Sequence, residues 1–233
     1  GFAIAGAAMH AASSLLVLAL ARHWLAAFAP ALPRPGFAAF ATALVFALHP
    51  AQTEAVAYIA GRSTALSTMF TLAALLAWER ARDGSPVAWR AATMLLFAAA
   101  MGARESAWTL PFALVLVEAA RGERMREALR RTLPFWLLAL VLAVLVLAIA
   151  PYRQLLATSL AIRPPLDNLV AQVDSVVYLV THPLMTLRLN FDPDLVARES
   201  IDGAWLAKVA TLAALLAFGV VQLRKRPWLG FGV

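Results

Sequence analysis

The chain has 233 residues, of which 62% are hydrophobic and only 14% are charged. A water-soluble domain of this size cannot bury so much apolar surface, so the composition excludes a soluble globular protein. The formal net charge is +7, and the basic residues lie in short loops between apolar runs. That pattern is typical of membrane topology and not of a nucleic-acid-binding face, so we expect no nucleic-acid partner.

Seven apolar runs predict an all-α bundle of membrane-spanning helices. They cover residues 2–21, 36–48, 63–78, 87–103, 106–120, 133–150 and 203–223. A full crossing needs roughly 20 apolar residues. The second run is shorter, and Pro33, Pro35 and Pro50 bracket it. This run therefore has an alternative interpretation, as a re-entrant or core segment.

The distribution of basic residues distinguishes these two interpretations. If all seven runs cross, 13 of the 20 basic residues lie on one side and 6 on the other. If the second run does not cross, the split becomes 8 against 11. The positive-inside rule therefore favours seven crossings, with Gly1 outside and Val233 in the cytoplasm.

The longest segment between two runs, residues 151–202, is then an outer loop, in the periplasm or an equivalent lumen. Apolar residues recur at helical spacing over about 166–182, with Asp167 and Asp174 between them. This periodicity predicts an amphipathic helix at the outer interface. With no soluble domain recognisable, residues 1–233 form one partial transmembrane domain.

The turn between the second and third runs, HPAQTEAVAYIAGRS, holds three ionisable residues on the predicted outer side. Such groups are costly at the ends of membrane helices unless they face water, each other or a substrate. His49 could bind a phosphate or exchange a proton, Arg62 could bind phosphate oxygens, and Glu54 could orient a cation or accept a hydroxyl proton. The alternative is interface anchoring and capping, with Ser63 or Thr64 as N-cap of the third run.

The turn between the fourth and fifth runs carries Arg104 and Glu105, again on the predicted outer side. A single arginine there could simply extend its guanidinium group to the interface. A tight helical hairpin requires neither charge, however, so the adjacent acid favours a functional role for the pair.

Other charged residues give weaker signals. His182, Arg188 and Asp192 in the outer loop are candidate binding residues, and the loop carboxylates could hold a divalent ion, although solvated acids are commoner. We therefore assign no metal and no cofactor, without excluding a divalent cation. Near the predicted cytoplasmic end of the fifth run, Glu118 and Arg121 are expected to form an ion pair within one helix.

Two segments carry a family resemblance. Residues 48–78, LHPAQTEAVAYIAGRSTALSTMFTLAALLAW, resemble the signature of the GT-C membrane glycosyltransferases that precede tetratricopeptide repeats, the transmembrane and tetratricopeptide-repeat O-mannosyltransferases and their bacterial relatives. The match comprises His49-Pro50, Thr53 to Val56 and Gly61-Arg62. Arg104-Glu105 corresponds to a Lys-Glu turn of that family, with arginine in place of lysine. Residues 178–195 are similar to its outer-loop segment, and His10 to a histidine of its second membrane helix.

The resemblance implies an enzyme of a bacterial inner membrane with its active side in the periplasm. Its substrates would be a polyprenyl-phosphate-linked sugar, held partly by membrane lipid, and a protein or glycan acceptor. His49, Arg62 and Arg104 would bind the donor phosphate, and Glu54 and Glu105 would bind or orient the sugar. The acidic pair expected to act as catalytic base lies upstream of residue 1, so we expect a fragment that lacks the first helix, the first outer loop and the C-terminal part.

Two other classes of function remain open at this stage. A transporter or flippase usually has ionisable groups near the bilayer midplane and repeated halves, whereas here the charges lie at helix ends and no repeat is visible. A non-catalytic membrane scaffold would leave the clustered outer His, Glu and Arg residues without a purpose.

Overall fold

The structure is a computed structural model, and it describes residues 2–53, 58, 61–83, 86–162, 165–181 and 202–226. All regular structure in these ranges is helical, which confirms the predicted all-α class. The α-helices are α1 (Phe2–Phe28), α2 (Pro35–Leu48), α3 (Arg62–Asp83), α4 (Pro86–Ala103), α5 (Leu110–Ala120), α6 (Met125–Ala148), α7 (Ala150–Ile162), α8 (Pro165–Thr181) and α9 (Gly203–Lys225). Short 3-10 helices cover Pro50–Gln52 and Glu105–Thr109.

Four helical segments in the described part of the chain are long and apolar enough to cross a membrane. They are Ile4–Phe28, Pro86–Ala103, Met125–Ala148 and Gly203–Leu223. They coincide with the first, fourth, sixth and seventh predicted runs. Many of their large apolar side chains are exposed in the isolated chain, which is expected where lipid is the solvent. The chain is therefore an integral membrane protein.

The other three predicted runs form helices that fail this test for identifiable reasons. Helix α2 has only 14 residues. Helix α3 has 22, but its last turns carry Glu79, Arg80, Arg82 and Asp83. Helix α5 has only 11 residues, and it is preceded by five residues of 3-10 helix. Because a 3-10 helix rises about 2 Å per residue, the two pieces together extend about 26 Å.

Two helices occupy the segment predicted as an outer loop. Helix α8 coincides with the predicted amphipathic helix to within one residue at each end. Helix α7 was not predicted, and its described side chains are all exposed. Helix α8 packs on α9, where the Trp205 indole donates to the Val170 carbonyl at 3.1 Å and Lys208 pairs with Asp174 at 2.5 Å.

The chain divides into two compact units. The first comprises residues 1–139 with 222–232, and the second comprises residues 140–221 with Val233. The core of the first unit combines one to three side chains from each of five helices: Leu20, Ala74, Leu75, Trp78, Phe97, Leu110, Leu114, Phe135 and Ala139. Fully buried alanines let the helix backbones approach closely, and dispersion contacts among the larger side chains then hold the bundle together.

Phe97 tests the importance of this core. Its side chain is fully buried, whereas Leu95, two residues earlier on α4, is 72% exposed. Phe97→Ala should lower the free energy of unfolding by about 3 kcal/mol through cavity formation. Leu95→Ala should change it by about 0.5 kcal/mol or less. Chemical unfolding in mixed micelles measures both, and equal effects of the two substitutions would contradict this core.

Candidate functional site

The turn between α2 and α3, the first of the two turns predicted on the outer side, begins where helix α2 ends. It is called here the first outer turn. Pro50 disfavours helical backbone at the residue before it, and His49 accordingly leaves α2 in an extended conformation, with φ −64° and ψ 127°. At the other end of the turn, the carbonyl of buried Gly61 accepts the Ala65 N–H at 3.0 Å, which is the first bond of α3. His49 and Arg62 therefore mark the two helix ends that border this turn.

The end of α2 is recessed relative to the start of α1. The His10 side chain lies 3.0 Å, Nε2 to O, from the carbonyl of Ala47, two residues before His49. The His10 ring also stacks on Phe46, with a centroid separation of 5.6 Å. His10 is eight residues into α1, so the end of α2 lies roughly 12 Å below the first residue of α1 along the helix axis.

Arg104 connects the start of α3 with the turn between α4 and α5, which is called here the second outer turn. It follows the last residue of α4 in an extended conformation, and its guanidinium Nη1 donates a hydrogen bond to the Thr64 hydroxyl. Thr64 lies in the first turn of α3, which begins at Arg62. The structure therefore brings Arg104 to the helix end that carries Arg62, as expected from their placement on one side. The capping alternative for Ser63 or Thr64 is wrong, because the helix already begins at Arg62.

This bond orients Arg104, and the Thr64 hydroxyl carries no charge that would neutralise it. No carboxylate pairs with Arg104 among the described residues. Glu105, its neighbour, is exposed at the start of the 3-10 helix. A guanidinium group held in place by a neutral partner retains its charge and further N–H donors, and it can therefore bind an anionic group.

The other predicted site residues lie outside the described residues: Glu54, His182, Arg188 and Asp192. The described ranges contain no group of three or more His, Asp or Glu side chains that could hold a metal ion. The roles assigned to these residues therefore stay predictions.

A second polar cluster, not predicted from the sequence, lies at the opposite end of the first unit. The Glu79 carboxylate is 1% exposed. It accepts a hydrogen bond from the Trp24 indole at 2.7 Å, pairs with Arg121 at 2.5 Å and lies 3.2 Å from His23. Glu79 therefore joins the ends of α1, α3 and α5.

Glu118 forms the other half of this cluster and is also 1% exposed. Its carboxylate accepts from the Trp78 indole at 3.0 Å, from Arg82, and from Arg131 at 3.0 Å. The turn between α5 and α6 contains Gly122, which adopts a left-handed φ of 83° suited to glycine. Together, Glu79 and Glu118 with their indole, histidine and arginine partners are called here the buried ion-pair cluster.

The predicted pairing of Glu118 with Arg121 is wrong. Residues three apart in one helix can pair at an exposed surface, but Glu118 is buried and meets cations from α3 and α6 instead. Arg121 turns to Glu79 on α3. One signal in the sequence could have indicated this: Glu118 interrupts the apolar run LVLVEAA, where an unpaired acid would be costly.

The buried ion-pair cluster should dominate the stability of this end of the bundle. Glu118→Gln keeps the shape of the side chain but leaves Arg82 and Arg131 without a buried counter-charge, at a cost of about 3 kcal/mol. Glu127 provides the matched control, because it is 42% exposed and pairs with Arg131 within one helix. Glu127→Gln should cost about 0.5 kcal/mol. Unfolding in mixed micelles distinguishes them, and a Glu118→Gln protein as stable as Glu127→Gln would contradict this role.

Comparison with known proteins finds local similarity to one kind of protein. The chain is 51% identical over 45 residues, 19% of its length, to "Protein O-mannosyl-transferase TMTC1" of Mus musculus. It is 49% identical over 45 residues to "Protein O-mannosyl-transferase F38B6.6" of Caenorhabditis elegans. It is 31% identical over 128 residues, 52% of the chain, to "Protein O-mannosyl-transferase Tmtc2" of Drosophila melanogaster.

These matches cover little of the relatives themselves. They span 5% of the mouse protein, 6% of the nematode protein and 13% of the fly protein. No protein-family model matches the chain, and no solved structure matches it. The chain therefore has partial similarity to the TMTC protein O-mannosyl-transferases, over at most 52% of its own length.

Proposed function

We propose that this chain is part of a membrane glycosyltransferase of GT-C type, which moves a sugar from a polyprenyl-phosphate donor to a protein or glycan acceptor on the outer face of the membrane. The similarity to proteins named as protein O-mannosyl-transferases supports the reaction class. The observation that carries the site is the Arg104–Thr64 hydrogen bond, because it brings a cation of one outer turn to the helix end that bears Arg62.

The packing of the first unit supports the proposed topology of seven crossings. The buried ion-pair cluster brings the ends of α1, α3 and α5 together, so these helices run in the same direction. The contact between His10 and Ala47 makes α2 antiparallel to α1. Helix α2 therefore returns the chain to the outer end before α3 begins. The basic residues concentrate at the other end, which by the positive-inside rule faces the cytoplasm of a bacterial inner membrane.

The reaction requires stabilisation of a leaving phosphate. An oxygen of the acceptor hydroxyl forms a bond to the anomeric carbon of the sugar, and the bond from that carbon to the phosphate oxygen breaks. The lipid phosphate leaves with an additional negative charge, which preorganised cations in a site of low dielectric constant stabilise. Arg62 and Arg104, with His49 in support, are the proposed cations, while Glu54 and Glu105 orient them or bind sugar hydroxyls. The hydroxyl proton goes to a general base, which the resemblance assigns to the sequence before residue 1.

The recessed end of α2 fits a donor that is anchored in lipid. The polyprenyl tail of such a donor lies among the acyl chains, and its phosphate lies at the boundary between hydrocarbon and water. His49, which follows α2 below the start of α1, is proposed to meet that phosphate.

Alanine substitutions test this function in membranes that carry the whole protein containing this chain. Arg62→Ala and Arg104→Ala should each reduce transfer of radiolabelled sugar from polyprenyl-phosphate donors about 100-fold, the effect of removing one transition-state donor. The matched control is Arg153→Ala, an exposed arginine on the same proposed side of the membrane. Normal transfer by both outer-turn variants, or an equal loss in Arg153→Ala, would contradict the proposed site.

Single cysteines test the proposed topology, and the natural chain, which has no cysteine, gives no background labelling. Ala31 and Thr53 flank α2 and are both exposed. If α2 crosses the membrane, a membrane-impermeant maleimide applied from outside labels Thr53→Cys but not Ala31→Cys. The maleimide applied from outside should also label Ser106→Cys, as it labels Thr53→Cys. It should not label Met125→Cys, as it does not label Ala31→Cys. Labelling of Ala31→Cys and Thr53→Cys from the same side would make α2 re-entrant.

A further inference from the structure

A small cavity of about 30 Å³ lies beside the buried ion-pair cluster, at the proposed cytoplasmic end of the first unit. Its lining residues come from α3, α4, α5 and α6: Trp78, Ala81, Arg82, Arg90, Glu118 and Arg131. The volume accommodates about one water molecule, so a larger ligand would bind at the mouth of the cavity.

The lining of this cavity carries more positive than negative charge. It contains three guanidinium groups and one carboxylate, and Arg82 and Arg131 share that carboxylate. Arg131 is also paired with Glu123 at 3.0 Å and with Glu127 at 3.3 Å. Arg90 has no hydrogen bond or ion pair with any of the described residues. The three arginines are thus matched in number by Glu118, Glu123 and Glu127, but Arg90 contacts none of these three, so its guanidinium group keeps its N–H donors for a further anion.

Trp89 indicates that the cavity opens near the level of lipid headgroups. Its side chain is 37% exposed, and exposed tryptophan is enriched where a membrane meets water. The Arg80 guanidinium lies over the ring of Trp89, 6.0 Å from its centroid. Trp89 directly precedes Arg90 in the sequence. Val87, one turn before Arg90, is 80% exposed and apolar. The surface here thus offers a cation, Arg90, to the charged headgroup of a lipid and an apolar side chain, Val87, to its acyl chain.

We propose that Arg90, with Arg82 beside it, binds the phosphate of an anionic phospholipid at this cavity, with the acyl chains against α4. The inner leaflet is the side rich in anionic lipids, and basic residues at a helix end attract their headgroups. This binding is separate from sugar transfer, since it uses residues of the opposite membrane face. The lipid phosphate gives Arg90 an anionic partner and links α4 to the buried ion-pair cluster.

The test is lipid binding by the purified whole protein, followed by native mass spectrometry in detergent. The probes are dioctanoyl phosphatidylglycerol, dioctanoyl phosphatidylcholine and inorganic phosphate. We expect phosphatidylglycerol to bind more tightly than phosphatidylcholine, and Arg90→Gln to weaken it about fivefold. Arg90→Lys, which keeps the charge, should retain most of the binding. The matched control is Arg22→Gln. Arg22 is exposed, lies near the end of α1 that contacts the buried ion-pair cluster, and does not line the cavity.

Three results would overturn the proposal. Unchanged phosphatidylglycerol binding by Arg90→Gln would show that Arg90 does not bind the lipid. An equal loss in Arg22→Gln would reduce the effect to general charge attraction. Inorganic phosphate that binds as tightly as the lipid, with the same dependence on Arg90, would make the ligand a free anion. Because Arg90 has no ion pair with the described residues, Arg90→Gln should unfold at the same temperature as the natural protein without lipid, which separates lost binding from lost fold.

Discussion

Two carboxylates buried at one end of the first unit, Glu79 and Glu118, constrain how its helices pack. Each is 1% exposed, and removing a charge from water is tolerated only with excellent compensation. Each has an indole N–H donor and an arginine from another helix: Trp24 and Arg121 for Glu79, Trp78 and Arg82 for Glu118. The compensation requires fixed positions of α1, α3, α5 and α6, so a helix that slides along its axis would leave a buried charge unpaired.

This constraint extends to the outer turns through the length of α3. Glu79 and Arg62 lie on one continuous helix, about 26 Å apart along its axis. A helix is stiff over this distance, so fixing its last turns also fixes the height of its first turn. Arg104 then meets Thr64 at the correct level, because α4 runs back from the end of α3. The buried ion-pair cluster at one end of α3 thus fixes where Arg104 meets the other end.

The sequence was sufficient for the all-α membrane class, but not for tertiary partners. Apolar periodicity located α1, α4, α6 and α9, since lipid-facing helices are apolar on most sides. The placement of Arg62 and Arg104 on one side followed from counting helices. The pairing of Glu118 could not be found in this way, because its partners Arg82 and Arg131 are distant in sequence and only packing selects them. Helix α7 was missed because its exposed residues carry no burial pattern.

The two ends of the first unit differ in how their charges are satisfied, and this difference separates structural from binding roles. At the end that bears the buried ion-pair cluster, each buried acid is matched by cations. At the opposite end, within the part of the chain that the structure describes, Arg104 bonds to a hydroxyl group, which fixes its direction and carries no opposite charge. A guanidinium group that is oriented and still charged is ready for an anion, because binding then requires no reorganisation. The same residue type therefore stabilises the fold where its partner is a carboxylate, and can bind a phosphate where its partner is neutral.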